Sequence, residues 1–258
     1  MTLTELANPT RFLALTARLL PWLAALTALV LAIGLAQSAL APDDYQQGAT
    51  VKIMFIHVPN AWLSMLVWTV MSIASLGTLV WRHPLADVAA KAAAPLGAAF
   101  TFLALVTGSL WGRPMWGTYW EWDARLTSVL ILFLMYLGLI ALWRAVEDPS
   151  RAARAAAVLT LVGALNLPII KFSVDWWNTL HQPASVMRLG GPTLDRAFLI
   201  PLLVMAVGFT LLFFTLHLAA MRNEILRRRV RSLQMMQARA FASDVGPTRA
   251  TPTQVGAV

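Results

Sequence analysis

Six apolar runs divide this chain, and its charged residues stand between them rather than inside them. The runs cover residues 19–40, 61–81, 92–111, 126–143, 155–170 and 197–221, and none contains Asp, Glu, Lys or Arg. About 20 residues of this kind cross the hydrocarbon of a bilayer as one helix, so the pattern predicts six transmembrane helices. Pro21, Pro95 and Pro201 fall near the starts of the first, third and sixth runs, where a missing backbone donor costs little. The fifth run is the shortest and is interrupted by Asn166 and Pro168. An Asn in a helix bundle usually hydrogen-bonds a neighbouring helix, and no functional role is assigned to Asn166.

Lys and Arg orient the spans. With six crossings, one side holds Arg11, Arg18, Arg82, Lys91, Arg144, Arg151, Arg154 and the seven Arg from Arg222 to Arg249. The other holds only Lys52, Arg113, Arg125, Lys171, Arg188 and Arg196. The basic side is expected to be cytoplasmic. Without the fifth span, the Arg-rich tail would lie outside, against that rule. The expected fold is therefore an all-α polytopic membrane protein with both termini cytoplasmic. Residues 1–18 form a cytoplasmic N-terminus, and 19–221 form the six-helix membrane domain. Residues 222–258 form a basic cytoplasmic tail, helical at first and disordered beyond about residue 240. Three connections face the periplasm, at 41–60, 112–125 and 171–196, and residues 174–181 of the last could form an interfacial helix.

Composition narrows the chemistry. The chain is 59% hydrophobic and 12% charged, about half the charged share of a soluble domain. Its net charge of +8 follows the positive-inside distribution rather than marking nucleic acid; the basic run 222–231 is read as a solvated extension, with contact to anionic membrane lipid or an acidic partner as the lesser reading. There is no Cys, which excludes thiol chemistry and thiolate ligation by this chain. No Walker sequence is present, so ATP hydrolysis is not expected. No cleavage pattern precedes the first run, which is expected to stay in the membrane.

The densest chemistry lies at residues 111–128. Trp111, Trp116, Trp120 and Trp122 fall within twelve residues, with Tyr119 among them. Gly112, Pro114 and Gly117 are expected to break this run into a connecting segment. Asp123 stands where a helix cap would be, and Arg125 follows two residues later. Two readings fit the cluster: an aromatic platform for a flat, apolar ligand, or an interfacial belt. Of the four His, His57 and His181 fall on outward connections flanking the cluster, whereas His83 and His217 fall on the cytoplasmic side. Two imidazoles beside an aromatic plate are what a bis-His haem site needs. Either could instead be an ordinary interfacial residue. On a helix, Trp177 and His181 would share a face. Arg125, Arg113, Arg188 and Arg196 are candidates for the ligand's carboxylates. Arg125 could equally pair with Asp123 or Glu121 and merely hold the loop, and Asp123 is read as a structural carboxylate.

The run from Trp111 to Thr127, WGxxxWGxxWxWDxRLT, resembles the tryptophan-rich WWD signature of the haem-handling membrane proteins of cytochrome c maturation. It is most similar to the family of cytochrome c maturation protein C, also called haem exporter protein C. HVPNAW from His57 and VDWWNTLHQPAS from Val174 resemble that family as well. The resemblance implies an inner-membrane protein that binds haem b (iron protoporphyrin IX) at the periplasmic face. His57 and His181 would ligate the iron. Trp111, Trp116, Tyr119, Trp120, Trp122, Asp123, Arg125, Trp177 and Arg188 would line or support the site. The implied acceptor is a periplasmic haem chaperone, cytochrome c maturation protein E, which takes haem covalently on a His through a vinyl carbon. The chain would then be the platform of a haem lyase. The resemblance also implies ABC-type transporter subunits, maturation proteins A and B, and the small single-span maturation protein D. A haem or amphipathic-solute permease is the alternative.

Overall fold

The computed structural model describes residues 7–182 and 185–244. Its helices are α1 (Pro9–Leu40), α2 (Met54–Leu79), α3 (Ala86–Trp116), α4 (Ala124–Ala145), α5 (Pro149–Gly163), α6 (Asn166–Trp176) and α7 (Arg196–Asp244). A 3-10 turn at Ala49–Ile53 leads into α2. With α5 and α6 counted together, six helical segments are long and apolar enough to cross a membrane. The chain is a multi-pass, all-helical membrane protein.

Local chemistry starts and stops these helices. Asn8 caps α1, its side chain accepting from Thr10 N at 2.9 Å, with Pro9 in the first turn. Asp148 caps α5 by accepting from Arg151 N at 2.8 Å, again followed by Pro149. Such caps satisfy amides that would otherwise have no partner. Gly117 ends α3 at φ +77°, a conformation in which a Cβ would be strained.

The spans are longer than the hydropathy pattern outlines, because polar ends can wind on without burying charge. Three consequences correct the sequence reading. Helix α3 continues through Gly112 and Pro114 and breaks only at Gly117. Trp116 therefore sits on a helix and not on a connecting segment. Pro114 removes one helical bond, the one an N–H there would give the Leu110 carbonyl, and the helix winds less than one turn beyond it. His57 likewise lies in the first turn of α2 rather than in the loop before it. Residues 174–181 are not one helix: α6 ends at Trp176, and an extended Trp177 follows. The fifth span bends at Ala164–Leu165, three residues before Pro168, which has no N–H to give the Ala164 carbonyl. Asn166 Nδ2 donates to Ser128 O at 2.8 Å and ties this bend to α4. The expected disorder after residue 240 falls largely outside the described residues; α7 is helical to Asp244.

In the bundle α2 runs along α3 and α1 along α7, while α4 packs between α3 and the α5–α6 pair. Trp68, Tyr136, Leu63, Leu132 and Phe213 are fully buried at its centre. Trp68 Nε1 donates to Thr160 O at 3.0 Å, and the Tyr136 hydroxyl donates to Ser64 O at 2.8 Å. Each buried aromatic thus satisfies its polar tip. Tyr136 lies directly on Gly97, where a Cβ would come within 2.2 Å of the ring. At one end the start of α1 meets the extension of α7: Arg229 Nη2 donates to Thr10 Oγ1 at 2.6 Å and Arg222 Nη1 to Thr16 Oγ1 at 2.7 Å. At the other end the starts of α2 and α4 meet the ends of α3 and α6, and the tryptophan stretch folds over them.

Candidate ligand site at the tryptophan-rich end

Asp123 organises this end. Its Oδ1 caps α4 by accepting from Leu126 N at 2.7 Å. Its Oδ2 accepts from Leu180 N at 3.1 Å. One carboxylate, only 5% exposed, therefore ties the start of α4 to the chain beyond α6. That tie delivers His181, whose Nδ1 comes 3.9 Å from Asp123 Oδ2 and whose ring sits 4.8 Å from that of Trp116.

His57 arrives from α2 and is held by α3. Its Nδ1 lies 3.1 Å from Ala104 O and 3.2 Å from Thr107 Oγ1. Donation of Nδ1–H to the carbonyl leaves Nε2 as the nitrogen with a free lone pair. The ring fits because position 108 is glycine; a Cβ there would stand 2.8 Å from His57 Cε1. Trp111 packs edge-on to His57 at 5.8 Å, and its Nε1 donates to Gln47 Oε1 at 2.9 Å.

Arg125 spans from α4 to α6. Its Nε donates to Ser173 Oγ at 3.0 Å, and its Nη2 to Ile170 O and Lys171 O, each at 3.3 Å. It forms no ion pair with Asp123 or Glu121 among the described residues; backbone and hydroxyl acceptors hold it instead.

These side chains surround two adjoining cavities of about 240 and 340 Å³, together within the range of small-molecule sites, roughly 300–1,000 Å³. His57, Ala61, Gly108, Trp116, Arg125 and His181 line both. Trp120, Lys171 and Asp175 line the first, and Trp111 and Gln47 the second. Two buried atoms in this wall, His181 Nδ1 and Trp120 Nε1, have no hydrogen-bond partner among the described residues. Burial, followed by the nearby Arg125 guanidinium, pushes the His181 imidazole down to about 4 against the pull of Asp123. It is therefore neutral at physiological pH and able to donate a lone pair.

A family model described as heme exporter protein C (CcmC) matches residues 2–236. Heme exporter protein C of Bradyrhizobium diazoefficiens is 88% identical over 248 residues, covering 95% of this chain and 94% of the relative. The Escherichia coli K12 protein of that name is 49% identical over 226 residues, covering 87% and 91%. The Paracoccus denitrificans protein is 47% identical over 241 residues, covering 93% and 100%.

The chain belongs to the heme exporter protein C family. The resemblance read from residues 111–127 is to this same family.

Not every residue singled out from the sequence lines the cavities. Trp122 is 72% exposed and packs edge-on to Trp120 at 5.4 Å. Tyr119 is exposed, with the Arg113 guanidinium 5.6 Å over its ring. Trp177 stacks edge-on to Trp176 at 5.7 Å rather than sharing a helix face with His181. Arg188 is exposed and lines neither cavity. His83 and His217 stay apart from the site; His217 Nε2 lies 2.9 Å from Ala89 O. Conversely, Gly108, Thr107, Ser173, Gln47 and Lys171 have roles that the sequence did not announce. Only the spacing of Gly108 and Thr107, one turn before Trp111, could have hinted at a ring packed against α3.

Proposed function

We propose that this chain binds haem b at the periplasmic face of the bacterial inner membrane and hands it to a periplasmic haem chaperone during cytochrome c maturation. The observation that carries the reading is the convergence of His57 and His181 on shared cavities, with His57 Nδ1 held by the Ala104 carbonyl. His57 Nε2 is then the nitrogen offered to iron, the neutral His181 imidazole supplies the second lone pair, and a porphyrin iron takes two such axial ligands. Trp116 and Trp120 supply apolar faces for the macrocycle. Arg125 and Lys171 are the cations lining the first cavity and suit the two propionates. The partnerless indole N–H of Trp120 is a further donor. Below the cavities, past Met65 and Val129, the bundle is closed by fully buried Trp68, Leu132 and Tyr136. A closed floor favours presentation at one face over passage through the bundle.

In this reading the chain contributes binding and orientation, holding the cargo so that the chaperone's acceptor meets it in a productive pose. Maturation protein E is the acceptor, maturation proteins A and B supply ATP-driven release, and maturation protein D completes the complex. The test is an absorption spectrum of the haem-loaded complex. Wild type is expected to be six-coordinate and low-spin. His57→Ala or His181→Ala opens one coordination position and shifts the spectrum, and added imidazole restores it. His83→Ala and His217→Ala leave it unchanged. An unaltered low-spin spectrum in both His57→Ala and His181→Ala overturns the ligand assignment.

A further inference from the structure

A second kind of site lies at the opposite end of the bundle, where α3, α4 and α7 part. A cavity of about 820 Å³ opens there. Its wall changes character along the helix axes. Leu96 of α3, Ile140 of α4 and Ala220 of α7 line the apolar portion, and Arg144, Arg227 and Arg231 line the charged portion. Lys91 and Arg228 bring the cations in the wall to five, against the single carboxylate of Glu224.

That carboxylate is already engaged. Lys91 Nζ lies 2.8 Å and Arg228 Nε 3.0 Å from Glu224 Oε1, and Arg228 also pairs with Asp87 at 2.7 Å. Arg227 reaches Glu224 only at 3.7 Å and is largely exposed. Among the described residues, Arg144 and Arg231 have no ion pair at all. The site therefore has a neutralised base and surplus guanidinium groups at its mouth. Trp143 stands beside Arg144 at the end of the α4 span and lines the same cavity. An indole at that depth marks the polar boundary of a bilayer.

We propose that this cavity binds the headgroup of one anionic phospholipid. The phosphate lies among Arg144, Arg227 and Arg231, and the start of the acyl chains lies along Leu96, Ile140 and Ala220. The argument is charge complementarity at headgroup depth, joined to an apolar wall that a free anion would not use. Guanidinium forks match phosphate oxygens, and basic pockets between membrane helices favour anionic headgroups. The inference is independent of the haem site, which lies at the far end of the spans.

The test uses the full chain, purified in detergent and stripped of lipid. Phosphatidylglycerol, phosphatidylcholine or inorganic phosphate is added, and native mass spectrometry counts bound lipid while thermal melting reports stability. Wild type retains one phosphatidylglycerol in preference to phosphatidylcholine, and only phosphatidylglycerol raises the melting temperature. Loss of two cations in Arg144→Gln/Arg231→Gln weakens retention about thirtyfold. Arg144→Lys/Arg231→Lys keeps most of it, and Arg151→Gln, on α5 outside the cavity, changes nothing. All three melt like wild type without lipid. Equal retention of the two lipids, or undiminished phosphatidylglycerol on Arg144→Gln/Arg231→Gln, overturns the proposal. An equal shift with inorganic phosphate, or displacement of the lipid by an acidic peptide, overturns the lipid assignment.

Discussion

Gly108→Ala probes how the bundle seats His57. The new methyl would stand 2.8 Å from His57 Cε1 and 3.3 Å from Nδ1. Both are ring atoms of a side chain held to Ala104 O at 3.1 Å, so the ring must retreat by about half an ångström or more to regain ordinary contact. A shift of that size stretches the Nδ1 hydrogen bond beyond useful length. Its loss costs about 1 kcal/mol, and overpacking adds about 1–3 kcal/mol. Replacing Gly within a helix returns about 1 kcal/mol. The net change in stability is therefore small, about 1–3 kcal/mol, while the imidazole is no longer aimed. A loss of about 2 kcal/mol in ligation lowers haem affinity roughly thirtyfold. The assay is a haem titration of the purified apo-protein, read by absorbance, beside a thermal melt. Gly138→Ala is the control, because a Cβ at that position meets nothing within 4 Å. It should bind haem as wild type does. Wild-type affinity and spectrum in Gly108→Ala would refute the claim that α3 positions His57 for its ligand.

Other outcomes follow from the same geometry. Trp116→Ala and Trp120→Ala should reduce haem retention with membrane insertion intact, and Phe should be tolerated better at 116, while a Trp122→Ala variant, at an exposed ring, should be affected least in a pull-down of bound haem. The His181 imidazole is lowered to about 4 from 6.5, so the unfolded chain binds the extra proton first as pH falls. The His181 contribution to apo-protein stability should be full above about pH 6.5, decline towards pH 4 by about 3 kcal/mol, and level off below; His181→Gln should make the slope shallower in thermal melts. Reporter fusions after Leu40, Gly117 and Gln182 should read periplasmic, and those after Pro84, Ser150 and Ser243 cytoplasmic; a cytoplasmic Gly117 would put the site in the wrong compartment.

The six spans were legible in the sequence because a bilayer imposes one demand on every segment, an uncharged run of sufficient length. The family was legible in residues 111–127, and Asp123 as a cap was legible from its place before an apolar run. Helix ends were less legible. Hydropathy marks where charge begins, but a helix stops where its backbone groups lose partners, so α2 and α3 wind past the apolar runs and carry His57 and Trp116 on helices. Long-range partners were not legible at all. Arg125 chooses Ser173 and the α6 carbonyls over nearby Asp123 because the α4–α6 packing brings those acceptors within reach. Gly108 is unremarkable in the sequence until α2 places an imidazole over it. Likewise Trp177, plausible by helical spacing, does not line the cavities because α6 ends at Trp176, and Arg188, a candidate from its outward position alone, is exposed and lines neither. Local chemistry is written along the chain, whereas the choice among equally suitable partners is made by which helices pack side by side.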